Sequence, residues 1–311
     1  MTTTGNIRYV ASSVPSDAVP WQRLDRMELS VEFEERQLEI TNLRGKEADF
    51  SLEKNGFSVH RAPTSFTKFD EMETHADEYY KDVVAFLEKQ IPDACKMVVY
   101  GHVCRLNRDG GSEESQSLSK ARLPANQMHV DQSPIFARDL VNAVLPAEEA
   151  EERLKRRFMA VNIWRPINNA ASDQPLAIVD WRTTKPEDYV KVRLLLPNEE
   201  LENVKAKTGL NPFKPFDGEV LFQHMPKPEG FSQAGVGLVI KPNPEHKLYY
   251  ARDLSPDEVI LIKCYDSFGE DQPMGKPGVA TYAPHTSFAD PQTAPDAPKR
   301  RSIELRCLVF F

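Results

Sequence analysis

The sequence predicts a mainly β protein, a sandwich or barrel with α-helices packed outside it. Three observations carry this. From residue 158 to the C-terminus short apolar runs recur, each bounded by turn residues. Helical periodicity is confined to two stretches, 70–93 and roughly 135–157. Proline, at 24 residues, clusters in connections at 205–228, 241–245, 273–277 and 291–298.

Taken in order, the first 60 residues read as short strands, LEITN and GFSVHRA being the clearest. In 70–93, Tyr79, Val83, Phe86 and Leu87 repeat at three-to-four spacing behind an acidic first turn, which predicts a helix. KMVVYGHVCRL (96–106) is a strand that empties into the polar, glycine-containing loop 107–126. A loop that long inside a compact fold is commonly a lid or a binding segment. The second helix, rich in Ala, Glu and Arg, follows. Then come the runs FMAVNIWRPI, PLAIVDWRTT, KVRLLLP, GEVLFQH, GVGLVIKP, KLYYARD, VILIKCYDS, GVATYAPH and SIELRCLVFF. KLYYARD and VILIKCYDS read as a hairpin closed by Ser-Pro-Asp. A single domain over 1–311 is expected, with 1–94 packed on a core of 95–311.

Composition excludes several classes. The 311 residues carry a formal net charge of -8, with no Lys/Arg run interleaved with aromatics, so nucleic acid is not an expected partner. Nowhere does an apolar run approach the ~18 residues that a membrane span needs, and no signal peptide is visible. The four cysteines form no CxxC pair. They read as reduced thiols of an intracellular, cytoplasmic protein. The apolar C-terminal CLVFF fits either a core or a homodimer interface.

The chemistry lies in three places. His129 and Asp131 stand at i and i+2 and, on a strand, project from the same face. His285 lies at the end of an apolar strand. Two imidazoles and a carboxylate on one side of a divalent metal leave positions open, the arrangement of non-haem Fe(II) oxygenases. Taken singly, each element has a plainer reading: a strand-end His with an Asp capping the next turn, and a loop His beside Pro284. The last strand adds Arg300, Ser302, Glu304 and Arg306 on one face, with Ile303, Leu305, Cys307 and Val309 on the other. That polar face is either the wet side of an edge strand or a pocket in which guanidinium grips the carboxylate of a keto-acid co-substrate. A zinc hydrolase on the same three ligands leaves the Arg-x-Ser pair without a role. A jelly-roll binding module leaves the polar face unexplained. No GxSxG motif and no electropositive, exposed cysteine point to a covalent hydrolase.

Several stretches together, NIWRPI (162–167), PLAIVDWRT (175–183), LYYARDLSPDEVILIKCYDS (248–267) and PHTSFADP with APDAPKRRSIELR (284–306), resemble the mainly fungal hydroxylase/desaturase family of Fe(II)/2-oxoglutarate enzymes. The resemblance runs from about residue 95 to the C-terminus. It implies a double-stranded β-helix (jelly-roll) core, a small-molecule substrate drawn from secondary metabolism, and O2 as oxidant. It also implies iron ligands at His129, Asp131 and His285, and 2-oxoglutarate held by Arg300 with help from Ser302 and Arg306. Where the family pattern has a single Arg followed by an acid, this chain has Arg300-Arg301; strand alternation favours Arg300, since that choice shares a face with Ser302 and Arg306. Trp164 and Arg165 are expected near the cavity, against the substrate.

Overall fold

The computed structural model describes residues 1–25, 28–107, 122–200, 202 and 225–311. Strands β1 (Thr2–Val10), β2 (Trp21–Arg23), β3 (Glu28–Leu29), β4 (Phe33–Asn42) and β5 (Phe57–Arg61) precede helix α1 (Met72–Gln90). After it come β6 (Lys96–Leu106), β7 (His129–Val130), α2 (Pro134–Val144) and α3 (Ala147–Leu154). The chain continues through β8 (Phe158–Pro166), β9 (Leu176–Val179), β10 (Tyr189–Pro197), β11 (Phe231–Ile240) and β12 (Leu248–Tyr250). It ends with β13 (Glu258–Asp266), β14 (His285–Ser287) and β15 (Arg301–Phe310).

Two sheets face each other as a jelly-roll. The larger has the order β1-β4-β12-β9-β14-β7-β11-β10-β2-β3 and the smaller β5-β13-β8-β15-β6. Period-two alternation decides what each strand buries. On β8, Phe158, Ala160 and Trp164 turn inward, to the core shared with Ile40, Val130, Ile178 and Leu238 of the larger sheet. Met159, Val161 and Ile163 turn outward onto α1, where Tyr79, Val83 and Leu87 wait at helical spacing. A strand covered on both faces has no solvent side, which is why β8 and β13 read as nearly continuous apolar runs, whereas the inward face of β15 carries Ser302, Glu304 and Arg306.

Two expectations are corrected. The stretch 135–157 is two helices, broken at Leu145-Pro146. Pro146 has no N–H to donate, and its ring drives Leu145 to an extended conformation (φ -106, ψ 153). KLYYARD and VILIKCYDS do not form a hairpin: β12 pairs with β4 and β9 in the larger sheet, whereas β13 pairs with β5 and β8 in the smaller. The Ser-Pro-Asp turn is instead part of a crossover between sheets. Arg44 clamps it, donating to the Arg252 and Asp253 carbonyls and pairing with Glu258. The expected lid, 107–126, and the expected strand GEVLFQH (218–224) fall largely or wholly outside the described residues.

Candidate metal centre

Sheet register brings the two histidines together. β7 is wedged between β11 and β14, and its pairing with β14 sets His285 directly opposite His129. Directly opposed residues in a sheet have Cβ atoms about 5 Å apart on the same face. The imidazole centroids here are 4.6 Å apart. Asp131, just past the end of β7, completes the group, and one ligand atom from each residue lies within 4.8 Å of the others. Its carboxylate oxygens stand 3.8 Å from His129 Nε2 and 3.9 Å from His285 Nε2. Two donors on one ion with bonds of about 2.1 Å can be that far apart.

The rings are pre-set for metal. His129 Nδ1 lies 2.8 Å from the Gln127 carbonyl oxygen and His285 Nδ1 lies 3.0 Å from that of Ala283. A carbonyl can only accept, so each Nδ1 carries the hydrogen and each Nε2 keeps its lone pair. Burial, reinforced by the neighbouring His285, pulls the His129 pKa down to about 4, so its ring is neutral at physiological pH. Burial opposes ionisation of Asp131, but Arg306 and the two histidines outweigh it and hold the carboxyl below the usual range. Asn162 Nδ2 donates to Asp131 Oδ2 at 2.6 Å, and Arg306 reaches Oδ1 at 3.5 Å. Asp131 does not cap the following turn: Ser133 does, accepting from Phe136 N at the start of α2.

Asn162 was not foreseen from the sequence. Its signal was available, as the one polar side chain between Phe158 and Trp164 on a strand buried along its whole length.

The other candidate residues divide by face. Arg300 is 1% exposed, places its guanidinium 5.6 Å from the Trp164 ring and donates from Nη1 to the Gln174 carbonyl at 2.5 Å. Its Nε and the Ser302 hydroxyl are buried without a hydrogen-bond partner. Burial, then the charge of Arg105, pulls the Arg300 pKa down to about 9, as expected for a desolvated cation awaiting an anion. Arg301 turns the other way, onto Asp70 beside α1, at 2.5 Å. Glu304 accepts from Arg306 Nε at 3.3 Å. Arg165 does not join Trp164: it projects from the opposite face and donates to Tyr79 Oη and to the Ala62 and Pro256 carbonyls. Replacing it (Arg165→Met) is expected to cost about 2–3 kcal/mol of stability by stranding those acceptors, with iron affinity unchanged. Urea unfolding alongside metal titration checks both halves.

The support beneath His285 extends to Gly56. That glycine has φ +83, and a Cβ there would sit 2.3 Å from the Tyr282 carbonyl oxygen. The next residue, Ala283, supplies the carbonyl that orients His285 and is itself bonded to the Lys263 carbonyl at 2.7 Å. Gly56→Ala is therefore expected to destabilise the fold by about 2 kcal/mol and to weaken iron binding by tilting the His285 ring. A thermal melt and an Fe(II) titration on one preparation test this.

A cavity of about 320 Å³ opens on His129 and Asp131 and is walled by Phe136, Leu140, Val192 and Leu194. Of the remaining histidines within the described residues, His102 bonds Tyr80, His246 bonds Asp188, His60 bonds Ser58 and His75 bonds Thr74, each away from the metal group.

The chain is similar to known proteins in sequence and fold. The hydroxylase/desaturase CTB9 of Cercospora beticola is 29% identical over 90% of this chain and 78% of its own length. The Fe(II)/2-oxoglutarate-dependent dioxygenase nvfI of Aspergillus novofumigatus is 29% identical over 86% of this chain and 80% of its own. The aspirochlorine biosynthesis protein N of Aspergillus oryzae is 31% identical over 62% and 64%. Among solved structures, the iron and alpha-ketoglutarate-dependent endoperoxidase NvfI superposes with a TM-score of 0.74 at 22% identity, covering 99% of this chain and 98% of its own, and shares the fold. The family described as oxidoreductase/YMDC permease-like domain matches residues 7–212 and 221–310, and the chain belongs to that family.

Proposed function

We propose that the chain is an Fe(II)/2-oxoglutarate-dependent oxygenase that oxidises a C–H bond of a small biosynthetic intermediate. The observation that carries this is a conjunction. Three metal-ligating groups converge with both lone-pair nitrogens aimed inward. The buried Nε of Arg300, just before β15, and the buried Ser302 hydroxyl on that strand, which also carries Arg306, have no hydrogen-bond partner.

Those residues fit the implied groups. His129, Asp131 and His285 would hold iron, and the open positions would take 2-oxoglutarate and O2. Arg300, with the Ser302 hydroxyl assisting, would take the far carboxylate of 2-oxoglutarate, because a planar fork matches a carboxylate and an orphaned buried donor seeks an acceptor. Arg306, expected from the sequence to assist, is instead paired with Asp131 and Glu304. When bound, iron with 2-oxoglutarate and O2 supplies an oxidant strong enough to attack an unactivated C–H bond, releasing succinate and CO2. The chain does the positioning: Asn162 and Arg306 fix the Asp131 carboxylate, the Gln127 and Ala283 carbonyls fix the rings, and the leucine-lined cavity keeps water from the reacting carbon. Trp164 packs against Arg300 rather than lining the cavity, so its part is to hold the guanidinium.

The test is anaerobic addition of Fe(II) and 2-oxoglutarate. A visible absorption band should appear, and O2 should then release succinate. Tight Zn(II) binding with no response to 2-oxoglutarate would sink the reading.

A further inference from the structure

The cavity beside the metal group has two unlike walls, and they say something about the substrate. One wall is apolar, formed by Leu24, Val192, Leu194 and Leu196 with Phe136 and Leu140. The other carries Arg105 and Arg122, with Arg306 deeper, beside Asp131. In a chain of net charge -8, three guanidiniums against one carboxylate in a single cavity is a local reversal of sign.

The three arginines are not equivalent. Arg306 is committed to Glu304 and Asp131. Arg105 and Arg122 face each other across a parallel bridge, held by hydrogen bonds from Leu106 N to Arg122 O and from Arg122 N to Cys104 O, both 2.9 Å. Arg105 spends one donor on the Leu123 carbonyl at 2.9 Å and has no ion pair among the described residues. The Arg122 guanidinium has neither an ion pair nor a hydrogen bond among them. Arg122 is an exposed residue, and the partial desolvation of its guanidinium, with the charges of Arg306 and Arg105, disfavours the protonated form against the opposing pull of Glu200 and Asp131. Two like charges held side by side, with Glu200 and Asp131 near Arg122 but no carboxylate in ion-pair contact with either guanidinium among the described residues, cost free energy that a bound anion would return. Arg300 and Ser302, the anchor assigned to 2-oxoglutarate, do not line this cavity.

We infer that the substrate is an apolar acid: a hydrocarbon skeleton against the leucine wall, with a carboxylate or similar compact anion held by Arg122 and Arg105. This rests on the oxygenase reading and adds the substrate's chemical class. Arg122 and Arg105 would then choose which carbon faces the metal, since fixing the anion at one end of the cavity fixes the distance of every other atom from His129 and Asp131.

The experiment uses a matched pair of fluorescent probes, anilinonaphthalenesulfonate and its uncharged counterpart N-phenylnaphthylamine. Both are titrated into the iron-loaded protein under anaerobic conditions with saturating 2-oxoglutarate. The wild type should bind the sulfonate at one site per chain. Arg122→Gln and Arg105→Gln should each weaken it about tenfold, as loss of a charge-assisted contact does. Arg122→Lys should recover most of the loss, and the uncharged probe should bind all four proteins alike. The visible 2-oxoglutarate band should titrate in Arg122→Gln as in wild type. No binding of the sulfonate to the wild type, equal sulfonate affinity in wild type and both glutamine variants, or an equal loss for both probes, overturns the inference. So does a tenfold loss of 2-oxoglutarate affinity in Arg122→Gln, which would assign the pair to the co-substrate. Absence of the visible band in the wild type refutes the oxygenase reading instead, while the comparison of the two probes remains readable.

Discussion

Asp131→Ala is expected to strip iron from the protein and abolish 2-oxoglutarate turnover with it. Asp131 supplies the one carboxylate of the metal group, so its loss leaves two imidazoles and no anionic ligand. Losing a residue that merely supports a ligand costs about 10–100-fold in metal affinity; losing the ligand must cost more. Asn162→Ala, which removes the 2.6 Å hydrogen bond to Oδ2, supplies the intermediate case within that range. The fold should survive, because Ser133 caps α2 without help from Asp131 and β7 is paired on both sides through His129. Iron content after desalting, with circular dichroism as the control for folding, decides the matter. Stoichiometric iron in a folded Asp131→Ala protein would refute the assignment of this residue as a ligand.

How much of this could be read from the sequence depends on whether the information was local. The span of β6, the run from 96 to 106, was legible because an apolar stretch between turn residues has clear ends. The opposite faces of Arg300 and Arg301 followed from alternation alone, and the structure places one inside and the other against Asp70. Alternation gives two sets, however, and does not say which set is inside when both faces are buried. Trp164 and Arg165 could not be told apart on that basis, since the pocket for Arg165 is built from Tyr79, Ala62 and Pro256, all distant in sequence. The false hairpin has the same origin. Nothing between Leu248 and Asp266 records that β12 and β13 pair with different sheets, a choice made by β4, β5, β8 and β9. The break at Pro146 was local and readable. The carbonyls of Gln127 and Ala283, which set both histidine rings, were not, because any residue supplies one.

Arg300→Gln is expected to raise the 2-oxoglutarate concentration needed for half-maximal turnover about a hundredfold, with iron binding intact. A guanidinium 1% exposed with no ion pair among the described residues is costly to bury. Its one side-chain hydrogen bond goes to the Gln174 carbonyl, and its Nε has none. Such a cost is tolerated where a ligand's carboxylate completes the pair, and losing a bidentate charge-assisted contact is worth about 3 kcal/mol. The sign of the stability change separates this from a structural role. Without 2-oxoglutarate the Gln variant should melt no lower than wild type, since an uncompensated buried charge has gone. With 2-oxoglutarate present, the wild type should gain thermal stability that the variant does not. Arg301→Gln is the register control: its side chain lies on the outer face against Asp70, so the co-substrate requirement should stay at the wild-type value. A large shift in Arg301→Gln with none in Arg300→Gln would reverse the assignment, and would mean that the strand from 301 to 310 is offset by one residue when the co-substrate binds.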